Sequence, residues 1–196
     1  MRESAGDLLD VLRLQIVTGA LQPQDRLREI AHAKSLKSSR AKIRDVFARL
    51  EHEGLVEARP NAGVRVANPP SAFKRRTLVA VRRTLETSAL EQAFAEGIDP
   101  LRGALSDGLP EYRRACRKGD LSEVVRLDMS FHRTIVASAD DGALLDHWLP
   151  TMSQMLLRYS RHHALVESYD EHAEIVRRIG KGDRVSAVRS LRQHIV

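Results

Sequence analysis

Apolar residues recur at helical spacing near the start of the chain. Leu8, Leu12 and Ile16 lie four residues apart, and this stripe ends at Gly19, which is the pattern of one amphipathic helix. A second, shorter helix is predicted from about residue 27 to residue 36.

A third helix and a hairpin follow. Ser38 and Ser39 are typical residues for the cap of a helix N-terminus. Two short apolar stretches, 55–58 and 64–66, are typical of strands, and the segment 59–63 between them carries the Pro, Asn and Gly of a tight turn. Three helices and a two-stranded hairpin predict a winged helix-turn-helix. The predicted buried face of the third helix is Ile43, Val46, Phe47 and Leu50.

The pattern changes near residues 67–76. Two adjacent prolines in the sequence Asn68-Pro69-Pro70-Ser71 remove backbone donors, so neither a helix nor a central strand continues there. We therefore predict a winged helix-turn-helix domain over 1–68, a linker over 69–76 and a second domain over 77–196. After the boundary the pattern is helical, with segments at about 72–95, 101–117, 120–138, 141–162, 166–180 and 183–195. The fold class is mainly α, and short connections between about six helices predict an antiparallel bundle.

Composition narrows the class of protein. Of 196 residues, 42% are apolar and 30% are charged, which is typical of a soluble globular chain. No apolar run is long enough for a membrane span, and the first residues lack the apolar core of a signal peptide. One cysteine, Cys116, excludes an intramolecular disulfide framework and a cysteine-rich zinc site. We expect a cytoplasmic protein.

Charge is distributed unevenly. The chain carries 32 Lys and Arg against 26 Asp and Glu, a net charge of +6. Residues 1–76 hold 15 of the basic and 9 of the acidic residues, while 77–196 hold 17 of each. The whole excess lies in the first unit, which favours an anionic partner for that unit alone.

The basic residues cluster around the third helix. Between Lys34 and Arg49 there are six basic residues and one acid. Arg40 and Arg44 lie four residues apart and share a helix face that differs from the apolar one. A helix N-terminus binds phosphate through its N–H groups, and Arg reads guanine in the major groove. A solvated basic face remains the simpler alternative for this pattern.

These residues resemble the GntR family of bacterial transcription regulators. The motifs are Gly19-Ala20-Leu21-Gln22-Pro23, Leu27-Arg28-Glu29, Ser39-Arg40, Ile43-Arg44-Asp45, Glu53-Gly54-Leu55-Val56 and Pro60-Asn61-Ala62-Gly63-Val64. The resemblance implies that Arg40 and Arg44 contact bases and that Ser39 and Gly63 contact the DNA backbone or groove. The predicted DNA-binding residues are Ser39, Arg40, Lys42, Arg44, Arg49, Arg59, Asn61 and Gly63.

The chain departs from the family pattern at several positions. Gln24 stands after Pro23 where the family usually has Gly, and Lys37 stands where the family has the turn Gly. Lys42 replaces a usual Pro, and His32 a usual Leu. Residues other than Gly tolerate positive φ poorly. Lys37 and Lys42 are expected to add phosphate contacts.

Histidines and one aspartate form a second candidate site. Asp128 and His132 are four residues apart on one predicted helix, so both point to the same side of it. His172 and His194 lie beside apolar residues on two later helices. Buried histidines with satisfied hydrogen bonds, and a structural Asp–His hydrogen bond, are the alternatives to a metal site here.

The second unit resembles the FCD ligand-binding domain found in many GntR regulators. The resemblance rests on Arg82-Arg83-Thr84-Leu85-Glu86, Asp128-Met129-Ser130-Phe131-His132, Glu171-His172 and His194-Ile195. It implies a divalent metal, with Zn favoured over Ni or Mn, held by Asp128, His132, His172 and His194. It also implies a small carboxylate effector bound by the metal and by Arg82. The alternative for Arg82 is a surface pair with Glu86.

Other residues of the second unit receive simpler interpretations. Arg158 is a second effector candidate, and His162 and His163 are expected at an exposed helix end. His147 and Trp148 are expected to pack at a helix or dimer surface.

Three functions follow from these patterns. The first is a homodimeric transcriptional repressor on an inverted-repeat operator, controlled by a small organic acid at the metal site. The second is a metal-dependent hydrolase that uses the Asp/His₃ site, although no general base stands out near the ligands. The third is an architectural DNA-binding protein without an effector. We expect the first, and therefore no enzyme activity.

Overall fold

The computed structural model describes residues 5–59, 63–139, 142–157 and 165–196. The chain divides into two units, one formed by the described residues of 1–72 and 153–159, the other by those of 73–152 and 160–196. No helix among these residues combines the length and the apolar character that crossing a membrane requires.

The first unit is a winged helix. α1 packs on α3, α2 packs on α3, and α3 also contacts the sheet. The sheet order is β1-β3-β2, with antiparallel pairing that places Val56 opposite Val66 and Arg26 opposite Arg65. The elements are α1 (Ala5–Val17), β1 (Arg26–Leu27), α2 (Glu29–Ser35), α3 (Arg40–His52), β2 (Val56–Arg59) and β3 (Gly63–Val66).

The predicted elements of this unit are confirmed, with one addition. The side chain of Ser39 caps α3 by accepting a hydrogen bond from the N–H of Lys42 at 3.2 Å. The buried face of α3 is the predicted set. The strand β1 is absent from the prediction, because two residues carry no recognisable alternation. It adds a third strand to the expected hairpin.

A buried ion pair joins α1 to the end of α3. Arg13 donates from Nε and Nη2 to the two carboxylate oxygens of Glu53, at 2.7 and 2.6 Å. Arg13 also binds Asp10. Burial alone lowers the pKa of Arg13, but the hydrogen bonds and charges of Glu53 and Asp10 outweigh it and raise the pKa. The guanidinium of Arg13 therefore stays charged although it is buried.

The regular elements among the described residues of the second unit are all helices. α5 packs against α6 and α8, and α8 packs against α9. The first helix of the unit begins inside the segment predicted as a linker, and the predicted helix over 141–162 ends at Leu156. The elements are α4 (Ala72–Glu96), α5 (Asp99–Lys118), α6 (Leu121–Ala137), α7 (Gly142–Leu156, of which 142–152 belong to this unit), α8 (Leu165–Gly180) and α9 (Arg184–His194).

Two connections in this unit consist of a glycine followed by an aspartate that caps the next helix, Gly119-Asp120 and Gly182-Asp183. Gly119 takes a φ of 70° at the end of α5, a left-handed conformation that glycine adopts without strain. Asp120 then caps α6 by accepting from the N–H of Glu123 at 3.1 Å. Asp183 caps α9 in the same way, accepting from Ser186 at 3.0 Å. These caps fix the start of two helices that carry candidate metal ligands.

Candidate metal centre and nucleic-acid interface

Three helices bring the predicted metal ligands together. Asp128 and His132 lie on α6, His172 on α8 and His194 on α9, and all four residues are buried. One potential ligand atom from each residue lies within 4.8 Å of those of the other three. The spacing of four residues on α6 therefore forms one cluster with side chains from two other helices.

The surroundings of His172 determine which of its nitrogens faces the cluster. Its Nδ1 lies 2.6 Å from the backbone carbonyl of Ser168, which only accepts hydrogen bonds, so Nδ1 carries the proton. The rings of Tyr112 and Phe131 pack edge-on against the imidazole, both at 4.6 Å. Nε2, on the other side of the ring, faces the cluster and lies 3.3 Å from Oδ1 of Asp128.

His132 and His194 are oriented in the same way by carboxylates. Nδ1 of His132 donates to Glu86 at 2.7 Å, and Nδ1 of His194 donates to Glu171 at 2.6 Å. Burial, the largest effect, lowers the pKa of His132, so its imidazole is neutral at pH 7. A carboxylate on the outer nitrogen of a ligating histidine is a recurrent feature of protein metal sites.

The inner atoms of the cluster fit a cation. The Nε2 atoms of His132 and His194 are 3.0 Å apart, and with Nδ1 protonated both present lone pairs. Burial raises the pKa of Asp128, but its imidazole neighbours and the charge of Arg82 lower it well below its usual range. Three imidazole nitrogens and one carboxylate suit a divalent ion such as Zn or Ni. The donor set therefore matches the metal that the sequence resemblance implies.

Next to the cluster, α4 and α7 contribute a buried network that the sequence did not reveal. Glu86 accepts hydrogen bonds from Nε of Arg82 at 2.6 Å and from the indole N–H of Trp148 at 2.8 Å, besides that from His132. Burial raises the pKa of Glu86, but the charge of Arg82 and the hydrogen bonds from Arg82 and His132 lower it to about 2. The expectation of surface packing for Trp148 is wrong, because this residue is 1% exposed.

Arg82 is paired with Glu86, as the simpler interpretation expects, but it is buried rather than at the surface. Among the described residues, two buried side-chain atoms have no hydrogen-bond partner: Nη2 of Arg82 and Nε2 of His172. A buried unpaired donor costs free energy, so such atoms often mark a ligand site.

The predicted DNA-contacting arginines lie together in the first unit. Arg40 and Arg44 occupy the first two turns of α3, and both side chains are exposed. They meet at Glu29 of α2, which lies 3.0 Å from Nε of Arg44 and 3.7 Å from Nη2 of Arg40. With Ser39 at the cap, they place hydrogen-bond donors at the N-terminal end of α3.

The remaining predicted DNA-binding residues are more dispersed. Lys42 lies in the first turn of α3, close to Arg40. Arg49 lies about 140° around the helix axis from Arg44, given 3.6 residues per turn, and therefore on another face of α3. Arg59 pairs with Glu57 at the end of β2, and Gly63 begins β3 with a φ of 75°. The predicted residues outside the described part of the chain are Asn61, Arg158, His162 and His163.

The two missing family glycines coincide with unusual backbone. Gln24 has a φ of 71° and Lys37 a φ of 48°, and they are the non-glycine residues with positive φ in the described chain. Lys37 connects α2 to α3, where Ser38 donates its N–H to the carbonyl of Ala33 at 2.9 Å. The turn therefore keeps the left-handed conformation without glycine.

A winged helix with a basic helix N-terminus, followed by a helical domain with a buried Asp/His₃ cluster, defines a DNA-binding transcription regulator. Residues 5–66 match the model for bacterial regulatory proteins of the gntR family, and residues 77–196 match the FCD domain. The chain belongs to the gntR family and carries an FCD domain.

Named relatives cover most of the chain. It is 26% identical to the HTH-type transcriptional regulator LutR of Bacillus subtilis, over 92% of each chain. It is also 26% identical to the gluconate operon transcriptional repressor of that organism, over 93% of this chain and 78% of the relative. The family and these relatives are transcription regulators rather than enzymes, so the hydrolase alternative has no support.

Solved structures share the fold. Escherichia coli McbR/YncC superposes with a TM-score of 0.82 at 18% identity, covering 100% of this chain and 94% of the other. A GntR regulator from Rhodococcus sp. RHA1 gives a TM-score of 0.77 at 22% identity, covering 97% and 93%. At these identities the likeness concerns the fold alone.

Proposed function

We propose that this protein is a homodimeric transcriptional repressor whose binding to an inverted-repeat operator is controlled by a small carboxylate. In this proposal residues 1–68 bind DNA, 69–76 link the domains, and 77–196 bind a divalent metal and the effector. The observation that carries it is the cluster of three inward-facing Nε2 atoms and Asp128, beside the unpaired Nη2 of Arg82.

The metal is assigned to Asp128, His132, His172 and His194. Each histidine holds its outer Nδ1 on a backbone carbonyl or a carboxylate, so its inner nitrogen is available as a ligand. A divalent ion bound there supplies a positive centre that binds carboxylate oxygens. Zn is our first choice and Ni or Mn the alternatives, because imidazole nitrogen suits several of these ions.

The effector is assigned to the carboxylate class because of Arg82. Its Nε is fixed by Glu86 at 2.6 Å, while its buried Nη2 has no acceptor. An anionic oxygen satisfies that donor with a charge-assisted hydrogen bond. A relative is named for the gluconate operon, and gluconate is a small hydroxycarboxylate. We therefore propose hydroxycarboxylates as the first compounds to test.

Operator binding is assigned to the N-terminal end of α3 and to the wing. Ser39, Arg40, Lys42 and Arg44 provide donors for phosphates and base edges in the major groove. Arg49 is assigned to the phosphate backbone, and Arg59, Asn61 and Gly63 to the groove beside it. Repression is favoured because a relative that matches 93% of this chain is a named operon repressor.

The DNA assignment is tested with a duplex selected from a random pool by the full-length protein. We expect an inverted repeat, and binding to it that weakens steeply with salt. Arg44→Ala should reduce the preference for the selected duplex over random DNA by about 5- to 150-fold, the range of one bidentate Arg–guanine contact. An unchanged preference in this variant contradicts base reading by Arg44.

The effector assignment is tested by thermal shift with a panel of small carboxylates on the metal-loaded protein. A compound at about 100 times its Kd should stabilise the domain by about 2.7 kcal/mol. Arg82→Lys keeps the charge but lacks Nη2, so it should lose this response while it retains metal. Arg133→Ala removes an exposed charge from α6 and is the matched control. If no carboxylate of the panel stabilises the protein, the assignment is contradicted. Chemical conversion of the compound would instead support a metal-dependent hydrolase. Stability that chelators leave unchanged would support an architectural DNA-binding protein without an effector.

A further inference from the structure

One acidic side chain lies between the two arginines assigned to base reading. Glu29 is the first residue of α2, and its two carboxylate oxygens accept hydrogen bonds from Nε and Nη2 of Arg44, both at 3.0 Å. The Nη2 atom of Arg40 lies 3.7 Å from the same carboxylate. Glu29 is 29% exposed, while Arg40 and Arg44 are 63% and 65% exposed. The acid is therefore partly covered by the arginines that it holds.

The edge of the guanidinium that Glu29 uses is informative. A guanidinium has five N–H donors in one plane. The bond pair through Nε and Nη2 occupies its side edge. The end edge, formed by Nη1 and the second hydrogen of Nη2, presents two further parallel donors, which can pair with O6 and N7 of guanine.

From this geometry we infer that Glu29 is a specificity-determining positioning residue, which holds Arg44 ready for guanine recognition. The inference rests on the proposed role of Arg44 in operator binding. A long exposed side chain loses rotamer freedom when it binds a base. A carboxylate that fixes the side chain beforehand reduces this loss at the correct sequence.

The charge of Glu29 acts in the same direction. The basic residues at the N-terminal end of α3 attract DNA phosphates whatever the base sequence. The negative charge of Glu29 among them weakens this attraction. The hydrogen bond from Arg44 is the largest effect on the pKa of Glu29 and lowers it, so the carboxylate is ionised at neutral pH. Glu29 should therefore weaken binding to random DNA while it supports binding to the operator.

The test compares Glu29→Ala and Glu29→Gln in the full-length protein. Fluorescence anisotropy gives the Kd for the selected duplex and for a random duplex of the same length. We expect the ratio of the two Kd values to fall by at least about fivefold in Glu29→Ala. A library of duplexes should show the loss of preference at one base pair per half-site, the position that Arg44→Ala also relaxes.

Asp45→Asn is the matched control. Asp45 is an exposed acid next to Arg44 on α3, and its charge acts on Arg44 without a hydrogen bond. This variant removes the same charge and should leave the base preference unchanged. Glu29→Gln keeps the length and one carbonyl oxygen, so it should retain more of the preference than Glu29→Ala.

Two outcomes overturn the inference. Tighter operator binding by Glu29→Ala with an intact base preference shows that Glu29 blocks Arg44 instead of positioning it. Equal loss in Glu29→Ala and Asp45→Asn shows a general charge effect. The double variant Glu29→Ala/Arg44→Ala should show no loss beyond Arg44→Ala, because Glu29 acts through Arg44. If Arg44→Ala itself keeps the base preference, the proposed function fails at that residue, a result distinct from failure of the role of Glu29.

Discussion

Replacing Glu86 by Gln should weaken metal binding, although Glu86 is not itself a proposed metal ligand. It acts through the outer nitrogen of His132. The carboxylate of Glu86 accepts from Nδ1 of His132 at 2.7 Å, from Nε of Arg82 at 2.6 Å and from the indole of Trp148 at 2.8 Å. A carboxamide has one acceptor oxygen and one N–H₂ group. It cannot accept all three hydrogen bonds, although its volume is nearly the same.

Either orientation of the carboxamide in Glu86→Gln leaves a fault at the site. If its nitrogen faces His132, the imidazole must accept at Nδ1, which moves the proton to Nε2 and removes that ligand. If its oxygen faces His132, the N–H₂ group opposes the donors of Arg82 and Trp148. Loss of such an outer partner typically costs about 10- to 100-fold in metal affinity. We expect this reduction for Zn.

The assay is competition with a chromophoric chelator on the full-length protein, with circular dichroism to verify folding. Glu174→Gln is the control, because Glu174 is an exposed acid of α8 that pairs with Arg177 and Arg178. Glu171→Gln serves as a second test, since Glu171 is half-exposed and holds His194. A folded Glu86→Gln protein with unchanged Zn affinity, together with an unchanged Glu171→Gln protein, refutes the reasoning.

Three further predictions concern stability, each measured by chemical denaturation of the full chain. Arg13→Ala leaves Glu53 buried without its partner and should destabilise the first unit by about 3–5 kcal/mol; a loss below about 1 kcal/mol would show that solvent reaches the pair. Lys37→Gly removes a side chain from a φ of 48° and should stabilise the protein by up to about 1 kcal/mol, and a clear loss speaks against the left-handed turn. Asp120→Ala removes the cap of α6 and should cost about 1 kcal/mol, whereas no change would mean that the cap contributes little.

Local patterns predict the secondary structure of the winged helix well. The apolar spacing of α3 identifies its buried face, and Ser39 is a suitable cap because its hydroxyl satisfies an N–H group at the helix start. The strand β1 escapes prediction, because its two residues pair with β3 across a long stretch of sequence. Local periodicity carries no signal for so short an element.

The metal cluster shows a different limit of sequence reasoning. The spacing of Asp128 and His132 predicts a shared face, but His172 and His194 join the site through the family resemblance and the packing of α8 and α9. Glu86 and Trp148 are missed as site residues, since their contacts with His132 and with each other join separate helices. Burial decides these roles, and a single sequence does not record which polar residue is buried.

The central claim is a coupling between the metal-bound carboxylate and the operator. It is tested most directly by the Kd of the metal-loaded, full-length protein for its selected operator, measured with and without the stabilising carboxylate. The account predicts that the carboxylate weakens operator binding by about 5- to 150-fold, the usual range of such coupling. It also predicts that chelator-treated protein and Arg82→Lys show no such change. An operator Kd that the carboxylate leaves unchanged, or shifts equally in all three proteins, would contradict the account.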